Sequence, residues 1–263
     1  MSTAALALTD SATMLRRNLK RMVRYPSMTL TLIGMPVVFL LLFVYVFGGT
    51  LGAGIGGPSG GRAEYVDYVT PAILLMTITS AVQGTSVSVA MDMTEGIVDR
   101  FRTMSIARTS VLTGHVVGSV VQTVLAITAV LGVALLVGFR PSAGVGGWFL
   151  LAGVLVLMSF ALVWLAVALG LASGTVEGAS NVGLPLVLLP FLGSGFVPTD
   201  SMPTALRWFA EYQPFTPLTE TLRGLLMGTP VGNNGVLALG WGLLIALVGY
   251  LWSKKLFNRE STR

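Results

Sequence analysis

The sequence predicts an all-α integral membrane protein with six transmembrane helices, an N-terminal amphipathic interfacial helix and short re-entrant helices between spans 5 and 6. Three observations lead there. Of the 263 residues, 54% are hydrophobic and 10% are charged, whereas a soluble domain carries roughly 25% charge. So few charges cannot clothe a water-facing surface, and the mean hydropathy of +0.81 agrees. Apolar runs of membrane-crossing length recur along the chain, and the basic residues divide unevenly between the segments that join them.

A helix rises about 1.5 Å per residue and the hydrocarbon core is about 30 Å thick, so a span takes roughly 20 apolar residues. Six stretches qualify: about 28–48, 68–91, 111–138, 148–172, 179–197 and 234–252, none holding Lys, Arg, Asp or Glu. Pro185 and Pro190 interrupt the fifth, and such prolines are tolerated where neighbouring helices satisfy the freed carbonyls. The chain therefore divides into an N-terminal segment 1–27, a membrane domain 28–252 and a C-terminal tail 253–263.

Orientation follows from the basic residues. The N-terminal segment holds Arg16, Arg17, Lys20, Arg21 and Arg24; the loop after span 2 holds Arg100, Arg102 and Arg108; the tail holds Lys254, Lys255, Arg259 and Arg263. These are 12 of the 16 Lys and Arg, against Arg62, Arg140, Arg207 and Arg223 on the other side, while the acids split six to five. A bias of basic residues without a matching bias of acids puts the 12-residue side, with both termini, in the cytoplasm of a multi-pass plasma-membrane protein.

Before span 1, Leu15, Leu19, Met22 and Val23 recur at helical spacing among basic residues, and Asp10 or Ser11 caps the start of this helix over 10–25. Such a helix lies in the headgroup layer, drawn by anionic lipid. The run from Met28 to Phe47 exceeds a signal-peptide core, so it is read as an uncleaved span. Gly48–Gly61 reads as a flexible link, and its GxGxxG match, Gly52 to Gly57, follows a span and not a strand, so it carries no nucleotide-site meaning.

Two segments outside the spans stand out. The loop Asp92–Arg108 mixes Asp92, Glu95 and Asp99 with Arg100, Arg102 and Arg108, yet Ile97, Phe101 and Met104 share one helical face. A solvated loop has no need of that apolar face; a short helix that docks into another protein does, and packing on this protein's own spans is the competing reading. The outward region 198–228 reads as two short helices that do not cross. Ser201 with Met202 and Pro203 starts the first, Pro214 and Pro217 stop it, and residues 218–227 form a second, ended by Gly228. Small residues recur every fourth position at Ser80, Gly84 and Ser88, at Gly114 and Gly118, and at Gly170, Gly174 and Gly178, a pattern that lets helices approach closely.

Several functions are excluded or disfavoured. No cysteine is present, so disulfides and thiolate chemistry are out, and a single histidine, His115, precludes a histidine-cluster metal site. There is no GxxxxGK[ST] phosphate loop and no GxSxG elbow. His115 reads as an interfacial residue at the start of span 3 and not as a catalyst. No mid-span carboxylate suggests a proton-coupled carrier. The polar groups within spans are Thr77, Thr79, Ser80, Gln83, Gln122, Ser159 and Asn181, each able to bond within the bundle. No basic face of a soluble fold points to nucleic acid.

Four parts together resemble the ABC-2-type permeases, in particular their daunorubicin-resistance-like group of drug and lipid exporters. They are the basic N-terminal helix, the six spans, the loop Glu95-Gly96-Ile97-Val98-Asp99-Arg100-Phe101-Arg102, and the series Pro198, Pro203, Trp208, Pro214 and Arg223 before the last span. Ser105 departs from the proline common in relatives, and His115 from a basic residue. The resemblance implies a dimer of two permease protomers, each docked on a separate ABC ATPase subunit. It implies that ATP and Mg bind that subunit and that this chain, with no cofactor of its own, is not catalytic by itself. It assigns coupling to Glu95, Gly96, Asp99, Arg100, Phe101 and Met104. Because the family's protomer seam is formed mainly by spans 2 and 5, it makes Thr77, Ser80, Gln83 and Asn181 substrate-path candidates. The expected cargo is a hydrophobic or amphipathic drug or lipid. A permease for a glycan or polymer precursor and a non-transporting membrane scaffold or sensor are the alternatives.

Overall fold

The structure, a computed structural model, describes residues 26–56, 60–94 and 108–259. The interfacial helix expected over 10–25 lies outside these residues. Helix α1, Pro26–Leu42, runs through a π-helical turn, Phe43–Phe47, into α2, Gly48–Gly56. Then follow α3 (Arg62–Thr94), α4 (Arg108–Val137), α5 (Val145–Ser173), α6 (Val176–Val182) and α7 (Leu184–Leu188). A 3-10 turn, Leu189–Leu192, and a second one, Thr199–Ser201, precede α8 (Thr204–Tyr212), α9 (Phe215–Met227) and α10 (Asn234–Arg259). Among the described residues every regular element is helical.

Five helices are long and apolar enough to cross a membrane: Leu30–Ile55, Arg62–Thr94, Thr113–Val137, Val145–Ser173 and Asn234–Phe257. The glycine-rich stretch after span 1, expected to be flexible, is helical as far as Gly56. The expected fifth span differs more. Its apolar stretch Val176–Leu192 is broken into three pieces, with Pro185 and Pro190 each near the start of a new one. A proline has no N–H to continue the preceding helix but fits the first turn of the next.

α3 and α5 are the most buried of the long helices and form the centre. Their contact is close at Gly170, where a Cβ would lie 2.6 Å from the Ser86 carbonyl oxygen and 2.9 Å from Val89 Cβ. The Ser86 hydroxyl donates to the Ala166 carbonyl across the same contact at 2.9 Å. A main core of Leu40, Tyr65, Ile73, Leu74, Met158, Leu162, Phe215 and Leu218, among others, fills the bundle. The perimeter is apolar as well. Leu136 is 89% exposed, Phe149 77% and Val236 74%, a surface suited to hydrocarbon and not to water.

Contacts between distant segments sort the chain into two ends. At the Tyr65 end, the Arg140 amide donates to Asp67 Oδ1 at 3.1 Å, and the Ser142 amide donates to the Leu226 carbonyl at 3.0 Å. The Arg140 guanidinium donates to the Leu135 and Phe139 carbonyls, capping the end of α4. At the Asp92 end, Val89, Val116, Val163, Val167, Leu171 and Phe257 make a separate apolar cluster.

The region before the last span contains two short helices, as expected, with shifted limits. Ser201 does not cap the first. Its hydroxyl donates to the Pro198 carbonyl at 2.7 Å inside a 3-10 turn, and α8 begins at Thr204 behind Pro203. Pro214 then leads α9, which starts at Phe215 and not at 218. Gly228 ends α9 with φ +66°, a left-handed cap suited to glycine. The two helices have opposite surroundings. In α9, Phe215, Leu218, Leu222 and Leu226 are buried, whereas α8 leaves Leu206, Trp208, Phe209 and Tyr212 exposed.

Candidate functional site

The coupling candidates Glu95, Gly96, Asp99, Arg100, Phe101 and Met104 lie outside the described residues. The two helix ends that bracket them are described. Asp92 occupies the last turns of α3 and His115 the early part of α4, and His115 Nε2 stands 2.9 Å from Asp92 Oδ2. Their side chains are 5% and 7% exposed, respectively. His115, expected as an interfacial residue at the start of span 3, is buried in the protein and paired with Asp92. Antiparallel packing of α3 and α4 carries the two residues together, 23 positions apart, and Val89, Met93 and Val116 pack around the same end. An ionisable pair at the margin of a membrane domain is a functional signal by default, because only a partner makes burial of the charge tolerable.

The substrate-path candidates have distinct placements. Thr77 is fully buried, and its hydroxyl donates to the Ile73 carbonyl at 2.8 Å. Ser80 is half-buried and donates to the Met76 carbonyl at 2.8 Å. Hydroxyls that bond to their own helix are satisfied without a neighbour. Gln83 reaches across to the other chain segment, its Nε2 donating to the Ser180 carbonyl at 3.0 Å. Asn181 is exposed, next to that contact. Gly84 of α3 and Leu184, Leu188 and Leu192 of the broken segment are also exposed.

The Tyr65 end holds a polar cluster that sequence reasoning did not assemble. The Arg223 guanidinium binds the Glu220 carboxylate and donates to the carbonyls of Tyr68, at 3.2 Å, and Ser194, at 3.1 Å. The Ser194 hydroxyl donates to Glu220 Oε1 at 2.6 Å, and the Tyr68 hydroxyl donates to the Ser194 carbonyl at 2.6 Å. The Tyr65 hydroxyl donates to the Phe196 carbonyl at 3.2 Å, and the Gln213 side-chain Nε2 donates to the Leu189 carbonyl at 3.1 Å. The carbonyls of Ser194 and Phe196, in the irregular backbone after the broken segment, are thereby satisfied by side chains of α3 and α9. Next to it Phe191 and Phe196 stack with centroids 4.4 Å apart, and Phe43, in the π-turn, sits 4.7 Å from Phe196. On the surface Arg207 pairs with Glu211 and Asp200, each at 2.7 Å. The hydrogen bond that Arg207 donates to Glu211, and then the Asp200 charge, push its already high pKa further up. The signal for Arg223 in the sequence was its place in the proline-rich series; its partners were not visible there.

A bundle of long apolar helices with an apolar perimeter, a buried Asp92–His115 pair at one end and a carbonyl-binding arginine cluster at the other defines a polytopic helical membrane protein. Residues 10–227 match the ABC-2 type transporter family, and the chain belongs to it. It is 28% identical over 227 residues, 86% of this chain and 77% of the relative, to a daunorubicin resistance ABC transporter permease protein of Streptomyces coeruleorubidus. It is 25% identical over 178 residues to the "Probable doxorubicin resistance ABC transporter permease protein" of Mycobacterium tuberculosis, covering 66% of this chain and 64% of that relative.

Proposed function

We propose that this chain is the permease subunit of an ABC exporter that moves a hydrophobic or amphipathic drug or lipid across the plasma membrane, powered by a separate ATPase subunit. The observation that carries the reading is membership of the ABC-2 family over residues 10–227 in a chain whose sequence has no phosphate loop of its own. The names of the two relatives, both permease proteins of drug-resistance ABC transporters, favour a drug-like cargo.

The chain crosses six times, with 176–197 as the fifth crossing. Two contacts along α3 support this. Ser180 meets Gln83 and Ser194 meets Tyr68; those α3 positions are separated by 15 residues, or about 22 Å at 1.5 Å per residue. The broken segment thus travels most of a bilayer's depth beside the central helix. Both termini are cytoplasmic, on the strength of the basic-residue bias, and the Asp92 end faces the ATPase. The exposed residues Gly84, Asn181, Leu184 and Leu188 meet a second protomer, and cargo passes between the two. Residues 95–104 form the coupling contact through Glu95, Gly96, Asp99, Arg100, Phe101 and Met104. ATP-driven closure of the two ATPases shifts the bundle between inward- and outward-open arrangements, a two-state element biased by nucleotide.

The test is co-expression with a candidate ABC ATPase subunit. Phe101→Ala and Asp99→Ala are compared with the wild type for co-purification of the ATPase and for daunorubicin-stimulated ATP turnover in proteoliposomes. Loss of both is expected. Undiminished coupling in folded variants defeats the assignment.

A further inference from the structure

Resting on that reading, we propose that Asp92 and His115 are positioning residues. Their hydrogen bond clasps the end of α3 to the start of α4, so that a push on the coupling segment moves the bundle and is not lost in splaying its two anchor helices.

The geometry supports this in three ways. The pair closes the chain at the base of the segment, with His115 Nε2 and Asp92 Oδ2 at 2.9 Å. Both side chains are buried, 5% and 7% exposed, at the end of the bundle that holds the apolar cluster of Val89, Val116 and Leu171, and a direct polar contact there is little weakened by water. From there the bundle has no slack. A Cβ at Gly170 would lie 2.9 Å from Val89 Cβ, which locks α3 to α5. A Cβ at Gly249 would lie 2.7 Å from the Leu165 amide nitrogen, and the Ser253 hydroxyl donates to the Trp164 carbonyl at 3.2 Å, which lock α5 to α10. Backbones that touch without intervening side chains move together, because packed cores do not deform continuously. At Asp92 the side-chain pair adds a polar constraint between α3 and α4.

A merely structural pair and a coupling clasp make different demands. Removing one partner leaves the other polar group buried, which weakens either kind of pair. Only a clasp makes the transmitted signal depend on the two ends being tied. Its strength also survives exchange of the partners or their replacement by another link.

The experiment uses the full chain with its ATPase in proteoliposomes and daunorubicin as the probe. His115→Leu and the milder His115→Gln are read by co-purification of the ATPase, basal ATP turnover and drug-stimulated turnover. The expected result is retained docking and basal turnover with the drug-stimulated increment reduced roughly 2- to 30-fold, the range over which residues outside the ligand sites modulate coupling. The exchanged double variant, Asp92→His with His115→Asp, recovers most of the increment. The chain has no native cysteine, so Asp92→Cys with His115→Cys offers a second arm. Drug stimulation is low before, and restored after, bridging the two thiols with a short bifunctional methanethiosulfonate.

Wild-type stimulation in both His115 variants overturns the clasp, as does a bridged cysteine pair that stays uncoupled. If His115→Leu does not purify as a folded protein, His115→Gln and the bridged pair decide the matter alone. A wild-type chain that neither binds the ATPase nor stimulates it defeats the permease reading, and the clasp with it. A coupled wild type with equally coupled variants defeats the clasp only.

Discussion

Arg223 sits over the ring of Tyr68, its guanidinium carbon 3.8 Å from the centroid, although 155 positions separate them. The same guanidinium donates to the Tyr68 and Ser194 carbonyls and pairs with Glu220. One side chain on α9 therefore holds α3 and the irregular stretch after the broken span in register. The planar fork suits this better than an ammonium group, since it stacks on a ring and donates in several in-plane directions at once.

Replacing Arg223 removes those contacts together. Arg223→Met is expected to lower the unfolding free energy in mixed micelles by about 2–3 kcal/mol, the range for losing hydrogen bonds to a charged group at a partly buried site. Arg223→Lys recovers less than half of that loss. Equal stability of the lysine variant and the wild type would show that charge alone, and not the fork, matters.

The α3–α5 contact makes a local prediction with an internal control. Gly170→Ala places a methyl group 2.6 Å from the Ser86 carbonyl oxygen, which costs about 1–3 kcal/mol as overpacking. Alanine's better helix propensity returns about 1 kcal/mol. Net destabilisation is expected. On the same helix a Cβ at Gly153 meets nothing within 4 Å, so Gly153→Ala is neutral or stabilising. Chemical denaturation of the two variants side by side checks both.

Helix α8 is exposed along most of its length, with Trp208 and Tyr212 paired on it at 5.3 Å between centroids. Trp and Tyr favour the headgroup level, where one part of the ring is apolar and another polar. A spin label at Trp208→Cys, in the cysteine-free chain, is expected to read as interfacial in power-saturation measurements. A label at Arg207→Cys, on the charged side with Asp200 and Glu211, is expected to be open to a water-soluble nickel chelate. A label at 208 that reads as deep as the bilayer centre would mean that α8 penetrates.

Sidedness is checked in intact cells with a membrane-impermeant maleimide. Asp200→Cys, at a side chain 78% exposed at the Tyr65 end, is labelled directly. Lys254→Cys, also exposed, is labelled only after the membrane is opened. The reverse pattern would turn the Asp92 end away from ATP.

The apolar runs that became the five long helices were legible because each is a local property: twenty or so adjacent residues determine whether a helix is stable in hydrocarbon. Their recognised limits differ from the structure mostly at the ends, where Arg62–Thr94 and Asn234–Arg259 extend into charged residues. The fifth span was harder. Its hydropathy says apolar, but Pro185 and Pro190 interrupt the backbone hydrogen bonding, and composition does not reveal how the pieces are then supported.

By itself, then, the sequence determined that this chain lives in a membrane, where its five long apolar helices lie and which family it resembles. Each of those depends on neighbours within a few turns or on composition. Tertiary structure alone decided that His115 meets Asp92, that Gln83 reaches Ser180, and that Arg223 gathers Tyr68, Ser194 and Glu220. Those contacts depend on how helices far apart in the chain are rotated and set in depth against one another. That arrangement is governed by close packing such as Gly170 against Ser86, which no local pattern of hydropathy encodes.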